Sequence, residues 1–148
     1  MRAVLQRVSQ AEVRVGDRII GKIGRGFVIL LGVAKDDTEK DAAFIADKIL
    51  AMRVFADAEG KMNLALHQVG GELLVISQFT LLADTDSGRR PSFIRAAPPE
   101  EAGRLYELFL SLVRNDGVKV ETGEFGATMA VSLINDGPVT IILDSRKT

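Results

Sequence analysis

The sequence has no cysteine, no tryptophan and a single histidine, His67. Without cysteine there is no disulfide, no thiolate nucleophile and no thiolate metal site. One imidazole rules out a two-histidine zinc site within one chain. A Ser-His-Asp triad would have to be built around His67, which falls in an expected loop with no Gly-x-Ser-x-Gly partner. A surface or capping histidine is the simpler reading, and neither a metal nor a cofactor is expected. Aromatic residues are scarce, at 5%, and no aromatic-rich basic strand of the kind that stacks unpaired bases is present. Excess positive charge is also missing: 19 lysines and arginines face 20 aspartates and glutamates, a net charge of −1. A protein that wraps a duplex is expected to be basic as a whole. No DNA partner is expected, and an RNA ligand must be gripped locally or at one end. No apolar run approaches the roughly 18 residues of a membrane span. The opening MRAVLQRVSQAEV alternates like a strand and lacks the apolar centre of a signal peptide. The expectation is a soluble, cytoplasmic protein with no membrane partner.

What is present reads as one domain, 1–148, with 47% apolar and 26% charged residues. Residues 2–8 and 11–15 alternate as strands, and Gly16-Asp17 offers a hairpin turn into 18–23. The apolar run 27–33 reads as a buried strand. Thr38-Glu39-Lys40-Asp41 resembles a capping box, and Ala42, Ile45, Ala46, Ile49 and Met52 then hold one helical face. A short strand at 53–56, a turn at 57–60 and a strand at 72–79 follow. Pro98-Pro99 opens a second helix whose Leu105, Leu108, Phe109, Leu112 and Val113 share a face, and Asp116-Gly117 closes it. Strands at 118–121, 129–134 and 139–143 complete an α+β pattern of antiparallel hairpins, a barrel-like sheet and two main helices, rather than repeating βαβ units.

Two motifs invite a ligand and fail. Gly21-Lys22-Ile23-Gly24-Arg25-Gly26 lacks the Gly-Lys-Ser/Thr ending of a phosphate loop and leads into a strand, so it reads as a glycine-marked hairpin or bulge. Asp84-Thr85-Asp86-Ser87-Gly88 opens like a calcium loop, but its glycine comes one position early and Arg95 stands where the bidentate glutamate belongs. It is read as a turn. Ser77-Gln78-Phe79-Thr80, at the end of an apolar strand, can be a strand end whose hydroxyls satisfy local backbone. Asn135-Asp136-Gly137-Pro138 can be a tight turn, and Phe125 and Met129 half-buried strand residues.

Taken together, SQFTL with its downstream GRRPSF, and GxFGAxM followed by NDGPVT, resemble the D-aminoacyl-tRNA (D-tyrosyl-tRNA) deacylase family, over nearly the whole chain from MRAVLQRV onward. The resemblance implies a homodimer that hydrolyses the ester between a D-amino acid and the 3′-terminal ribose of tRNA. It implies that Ser77, Gln78, Phe79 and Thr80 line the catalytic pocket, with backbone groups of Phe79 and Thr80 facing the substrate. Gly137 and Pro138 would form a chiral gate, joined by a cis peptide, that enters the active site of the other subunit. Arg7 would hold that gate, and Phe125 and Met129 would lie near the terminal adenosine.

Such chemistry is compatible with the missing nucleophiles. An aminoacyl ester is already activated, backbone N–H donors can stabilise its oxyanion, each worth about 2.7–4 kcal/mol, and the substrate's ribose 2′-hydroxyl can help to activate water. Thr80 as a covalent nucleophile needs an adjacent base, and none is visible near it in sequence. Two further readings stay open: a non-catalytic nucleic-acid-binding module of the same fold, and a small-molecule hydrolase or lactonase using Thr80.

Overall fold

A computed structural model describes residues 1–146, so the single domain expected over 1–148 runs two residues past them. In chain order the elements are β1 (Arg2–Val15), β2 (Arg18–Ile23), β3 (Gly26–Gly32), α1 (Glu39–Ala51), β4 (Phe55–Ala56), β5 (Met62–Leu64), β6 (Glu72–Ser77), α2 (Pro99–Asn115), β7 (Val120–Thr122) and β8 (Ala130–Asp144). Two 3₁₀ turns, Leu66–Val69 and Phe79–Leu82, flank β6. The Thr38 capping box forms, with the Thr38 N–H donating to Asp41 at 2.8 Å.

One sheet, in the order β2-β1-β3-β6-β7, carries the fold. β1 is a single strand where the sequence reads as two. Its first half pairs with β3 and its second half with β2, while β8 runs antiparallel along its other edge from Arg2–Asp144 to Arg14–Ala130. The hairpins expected from the turns are present at β1–β2, but β3–β6 and β6–β7 are parallel, with α1 and α2 on the connections. The physical reason is burial on both faces: β3 and β6 are apolar almost throughout, the signature of strands covered on either side.

Alternation along β6 shows the two covers. Leu73 and Val75 face the two helices, packing in one cluster with Ile45, Ile49, Leu105 and Phe109. Leu74 and Ile76 point the other way, into a second cluster with Val8, Val13, Ile23 and Val28 inside the curl of the sheet. That curl brings β2 against β6 and β7. A Cβ on Gly21 would stand 2.8 Å from the Thr122 carbonyl oxygen and 3.2 Å from Leu74 Cδ1, so only glycine allows this approach. The result is a nearly closed, barrel-like sheet with helices on one side, an α+β architecture.

The chain start is anchored inside. The Met1 α-ammonium lies 2.7 Å from each Asp37 carboxylate oxygen, both groups fully buried, and Asp37 Oδ2 also accepts from the Ala34 N–H at 2.7 Å. Ser145 accepts from the same ammonium at 2.8 Å and donates to Asp41 at 2.6 Å. First strand, last strand and the start of α1 thus share one polar knot.

β8 is also continuous where two strands were expected, but it bulges. While β1 advances from Gln6 to Val8, the partner on β8 jumps from Thr140 to Asn135. Residues 136–139 are left out of register, which is where Gly137 and Pro138 sit.

Candidate active site

The parallel ladder between β3 and β6 ends at the pair Leu31–Ser77. One residue further the Gln78 N–H donates to the Leu31 carbonyl at 2.8 Å, and the chain turns into the 3₁₀ segment Phe79–Leu82. The sequence reading carried the strand on to Phe79. Leu82, 3% exposed, explains the earlier end, because the turn is the shortest path that returns this side chain to the interior. The first N–H groups of such a turn, those of Phe79 and Thr80, have no partner inside it. Close packing fixes the turn from below. A Cβ on Gly32 would lie 2.9 Å from the Gln78 carbonyl oxygen and 2.6 Å from Leu82 Cδ2.

At this strand end opens a cleft of about 550 Å³, a size that suits a small ligand or the end of a larger one. Leu31, Val33 and Ile76 belong to its apolar floor, and Ser77, Gln78 and Phe79 supply one wall. Phe125 and Met129 line it as well, and Phe93, Pro99 and Ala102 complete it from the loop and from α2. Not one lining residue carries an ionisable side chain. The functional groups on offer are one hydroxyl, one carboxamide and the backbone.

The walls are held from outside the cleft. The Tyr106 hydroxyl donates to the Val75 carbonyl at 3.0 Å, two residues before Ser77. Burial, helped by the nearby Glu107 charge, pushes its pKa up to about 12, so it stays a donor. Its ring packs on Phe125 at 5.8 Å between centroids. Phe79, 56% exposed, meets Phe93 edge to face at 5.2 Å.

The other expected residues lie apart. Thr80 is exposed and does not line the cleft; its hydroxyl oxygen accepts a hydrogen bond from Gln78 Nε2 at 2.5 Å. Gly137 and Pro138, joined by a cis peptide, are exposed on the β8 bulge and do not line the cleft of their own chain. Arg7 sits beneath them, its side chain 12% exposed. It donates from Nε to the Asp136 carbonyl at 3.0 Å and from Nη1 to the Val54 carbonyl at 2.5 Å. His67 is exposed on the 3₁₀ turn Leu66–Val69. The failed motifs are structural: Gly21–Ile23 belongs to β2, and Asp84 folds its loop by accepting from the Asp86 N–H at 3.0 Å.

Sequence reasoning did not single out Phe93, Pro99 and Ala102 as cleft residues. Phe93 stood inside the GRRPSF motif, which was a usable signal; the small α2 residues gave none, because they read as ordinary helix start.

The family model for D-Tyr-tRNA(Tyr) deacylase matches residues 4–144. The chain belongs to that family. The D-aminoacyl-tRNA deacylase of Anaeromyxobacter dehalogenans (strain 2CP-C) is 59% identical over 147 residues, covering 99% of both chains. That of Thermotoga petrophila (strain ATCC BAA-488 / DSM 13995 / JCM 10881 / RKU-1) is 55% identical over 147 residues, again 99% of both. Among solved structures, one described as a c-Myc DNA unwinding element binding protein superposes with a TM-score of 0.93 at 42% identity, covering 99% of this chain and 100% of that one. A probable eukaryotic D-amino acid tRNA deacylase superposes with a TM-score of 0.83 at 20% identity, over 96% of this chain and 97% of that one, a likeness of fold. No helix among the described residues is long and apolar enough to cross a membrane.

Proposed function

We propose that the protein, as one domain over 1–148, hydrolyses the ester of D-aminoacyl-tRNA to free D-amino acid and tRNA, and spares L-aminoacyl-tRNA. The observation that carries this is an apolar cleft at the end of β6, bounded by Ser77, Gln78 and Phe79, in a chain that matches D-aminoacyl-tRNA deacylases along its length. Water adds to the ester carbonyl, the tetrahedral oxyanion is met by the free N–H groups of Phe79 and Thr80, and the ribose 3′-oxygen leaves with a proton. The substrate's 2′-hydroxyl orients the water, a task for which the cleft has no side-chain base. Phe125 and Met129 receive the terminal adenosine.

The chiral gate is Gly137 and Pro138 of a second copy, held from behind by Arg7. Their exposure on a bulge outside their own cleft supports this reading, as do the exposed apolar side chains of β8, Leu133, Ile134 and Ile142. The dimer is isologous, each copy gating the other. Rejecting the L form a thousandfold needs about 4.2 kcal/mol. Backbone in the path of an L side chain delivers that better than an apolar pocket, which discriminates by only ~1–3 kcal/mol per methylene. Glycine offers nothing to exclude, so glycyl-tRNA is a substrate as well. Such a substrate places the reaction in the cytoplasm.

A second reading, a nucleic-acid-binding module without catalysis, is favoured by the 42% identical relative whose description names a DNA element. Incubation with D-, L- and glycyl-tRNA and with a simple D-amino acid ester separates them. The deacylase releases amino acid from the D and glycyl species and spares the L species; release from none of them leaves the binding module.

A further inference from the structure

A cleft that takes the end of a polymer must let the rest of it leave, and the protein's net charge of −1 provides no overall attraction for a polyanion. The segment 92–97 forms the dividing wall. Phe93 and Ala96 line the cleft, while Ile94 and Arg95 line a second depression of about 390 Å³. Arg2, Lys35 and Arg146 line that depression too, against Asp36 and Asp144.

Two of its cations are already committed. Arg2 pairs with Asp144 at 3.0 Å, and Arg146 reaches Asp37 at 3.4 Å. Of the other two, Lys35 is in no ion pair among the described residues, and Arg95 is in one longer pair. Lys35 is exposed and adjoins Arg95, its N–H donating to the Arg95 carbonyl at 2.9 Å. Arg95 is half exposed, with Asp84 at 3.7 Å. The next loop, closed by the paired backbones of Asp84 and Ser92, presents Arg89 and Arg90 to solvent. Among the described residues, no ion pair involves Lys35, Arg89 or Arg90. Ile94, 70% exposed, lines the depression with Lys35 and Arg95 and offers an apolar surface there, while Arg89 and Arg90 stand on the loop that leads into the wall.

We infer that this second depression is the track for the RNA strand next to its aminoacylated end. Lys35, Arg89, Arg90 and Arg95 neutralise its phosphates, and Ile94 packs against an unstacked base. The inference rests on the deacylase reading. A cationic groove with an apolar platform is the general form of a single-strand site. Here it adjoins the cleft across one segment of chain, so a strand that crosses this wall enters it directly. The local charge meets the requirement that a near-neutral protein grip RNA at one end.

The test compares wild type with Lys35→Gln/Arg89→Gln/Arg90→Gln/Arg95→Gln, and with the two paired variants Lys35→Gln/Arg95→Gln and Arg89→Gln/Arg90→Gln. Uncharged tRNA is titrated at several salt concentrations, and hydrolysis is followed on D-aminoacyl-tRNA and on the D-aminoacyl ester of adenosine. The fourfold variant should bind tRNA at least tenfold more weakly at low salt. Its slope of log affinity against log salt should be shallower by about 3, at about 0.7 for each single-strand phosphate released. Its kcat/KM on D-aminoacyl-tRNA should fall by the same factor as its affinity, with the adenosine ester turned over as in wild type. Each pair should give a partial loss. Unchanged affinity and slope, or equal losses on both substrates, overturn the track. Wild type that hydrolyses neither substrate removes the deacylase reading instead, and the tRNA titration still decides whether the cations hold RNA.

Discussion

Gln78 Nε2 donates to the hydroxyl oxygen of Thr80 at 2.5 Å. A hydroxyl that accepts from an amide has its own proton free to give away, and among the described residues the Thr80 hydroxyl donates to no base. That is the arrangement of a donor, unlike that of a nucleophile activated by a base. Thr80→Ala should therefore keep at least about a tenth of kcat, the loss of one hydrogen bond being about 0.5–1.5 kcal/mol. Single-turnover rates on D-aminoacyl-tRNA measure this. Complete loss in a folded variant makes Thr80 the nucleophile.

The cleft lining, without an ionisable side chain, predicts the pH profile. With a D-hydroxyacyl-tRNA, which lacks the titrating α-amine, kcat/KM should show no inflection from an enzyme group between about pH 5 and 9. A bell-shaped profile on that substrate would reveal an acid or base that the cleft lining does not contain.

Arg7 satisfies two backbone carbonyls, those of Asp136 and Val54. Arg7→Ala leaves both without that donor, each about 1–3 kcal/mol if it stays buried, and releases the bulge that carries Gly137 and Pro138. Hydrolysis of L-alanyl-tRNA relative to the D form should rise more than about tenfold. Arg7→Lys should restore only part of the discrimination, because one ammonium does not span both carbonyls as a guanidinium does. Unchanged chirality in a folded Arg7→Ala variant removes Arg7 from the gate.

Asp37 is the one buried charged side chain among those described; its nearest partner is the equally buried Met1 ammonium at 2.7 Å, with Arg146 further off at 3.4 Å. Removing one member of a buried pair strands the other, so Asp37→Ala should cost about 3–5 kcal/mol in denaturant unfolding. A change under about 1 kcal/mol would mean that the ammonium reaches water in the folded state.

Asp41 carries a pH dependence. Partial burial works to raise its pKa, but the Ser145 hydroxyl, the Thr38 N–H, the Met1 ammonium and Arg146 outweigh it and hold the carboxyl below its usual 3.8. A carboxylate depressed by folding adds stability above its unfolded pKa, and that stability is lost as pH falls through the folded value. Asp41→Asn should thus be less stable than wild type at pH 7, and the gap should close as the pH drops below about 4. A gap that persists in stronger acid would assign the effect to packing.

Local signals in the sequence were read well. The capping box at Thr38 and the proline start of α2 rest on contacts within a few residues, and both helices begin there. Ser77, Gln78 and Phe79 stand out because polar groups follow an apolar strand, but that pattern alone reads as a strand end; their place in a pocket comes from the resemblance carried by SQFTL. What periodicity could not show was partnership. An apolar run such as β3 does not say whether its neighbour runs parallel, and the β3–β6 crossover depends on α1 covering one face. Nor could Asn135-Asp136-Gly137-Pro138 show that the chain resumes its ladder with β1 after the bulge, since the pairing partner lies at the other end of the sequence.

That last ladder has a consequence for synthesis. Arg2 and Asp144, paired at its end, are 142 positions apart, and contacts at such separation close slowly. On the ribosome, β3, α1 and β6 emerge long before β8 does. Until residues 130–144 are released, β1 waits with one edge bare, a template for any free strand nearby. A nascent chain therefore carries the floor of its cleft before it carries its gate, and pauses in translation downstream of α2 prolong the interval in which neighbouring copies can exchange strands.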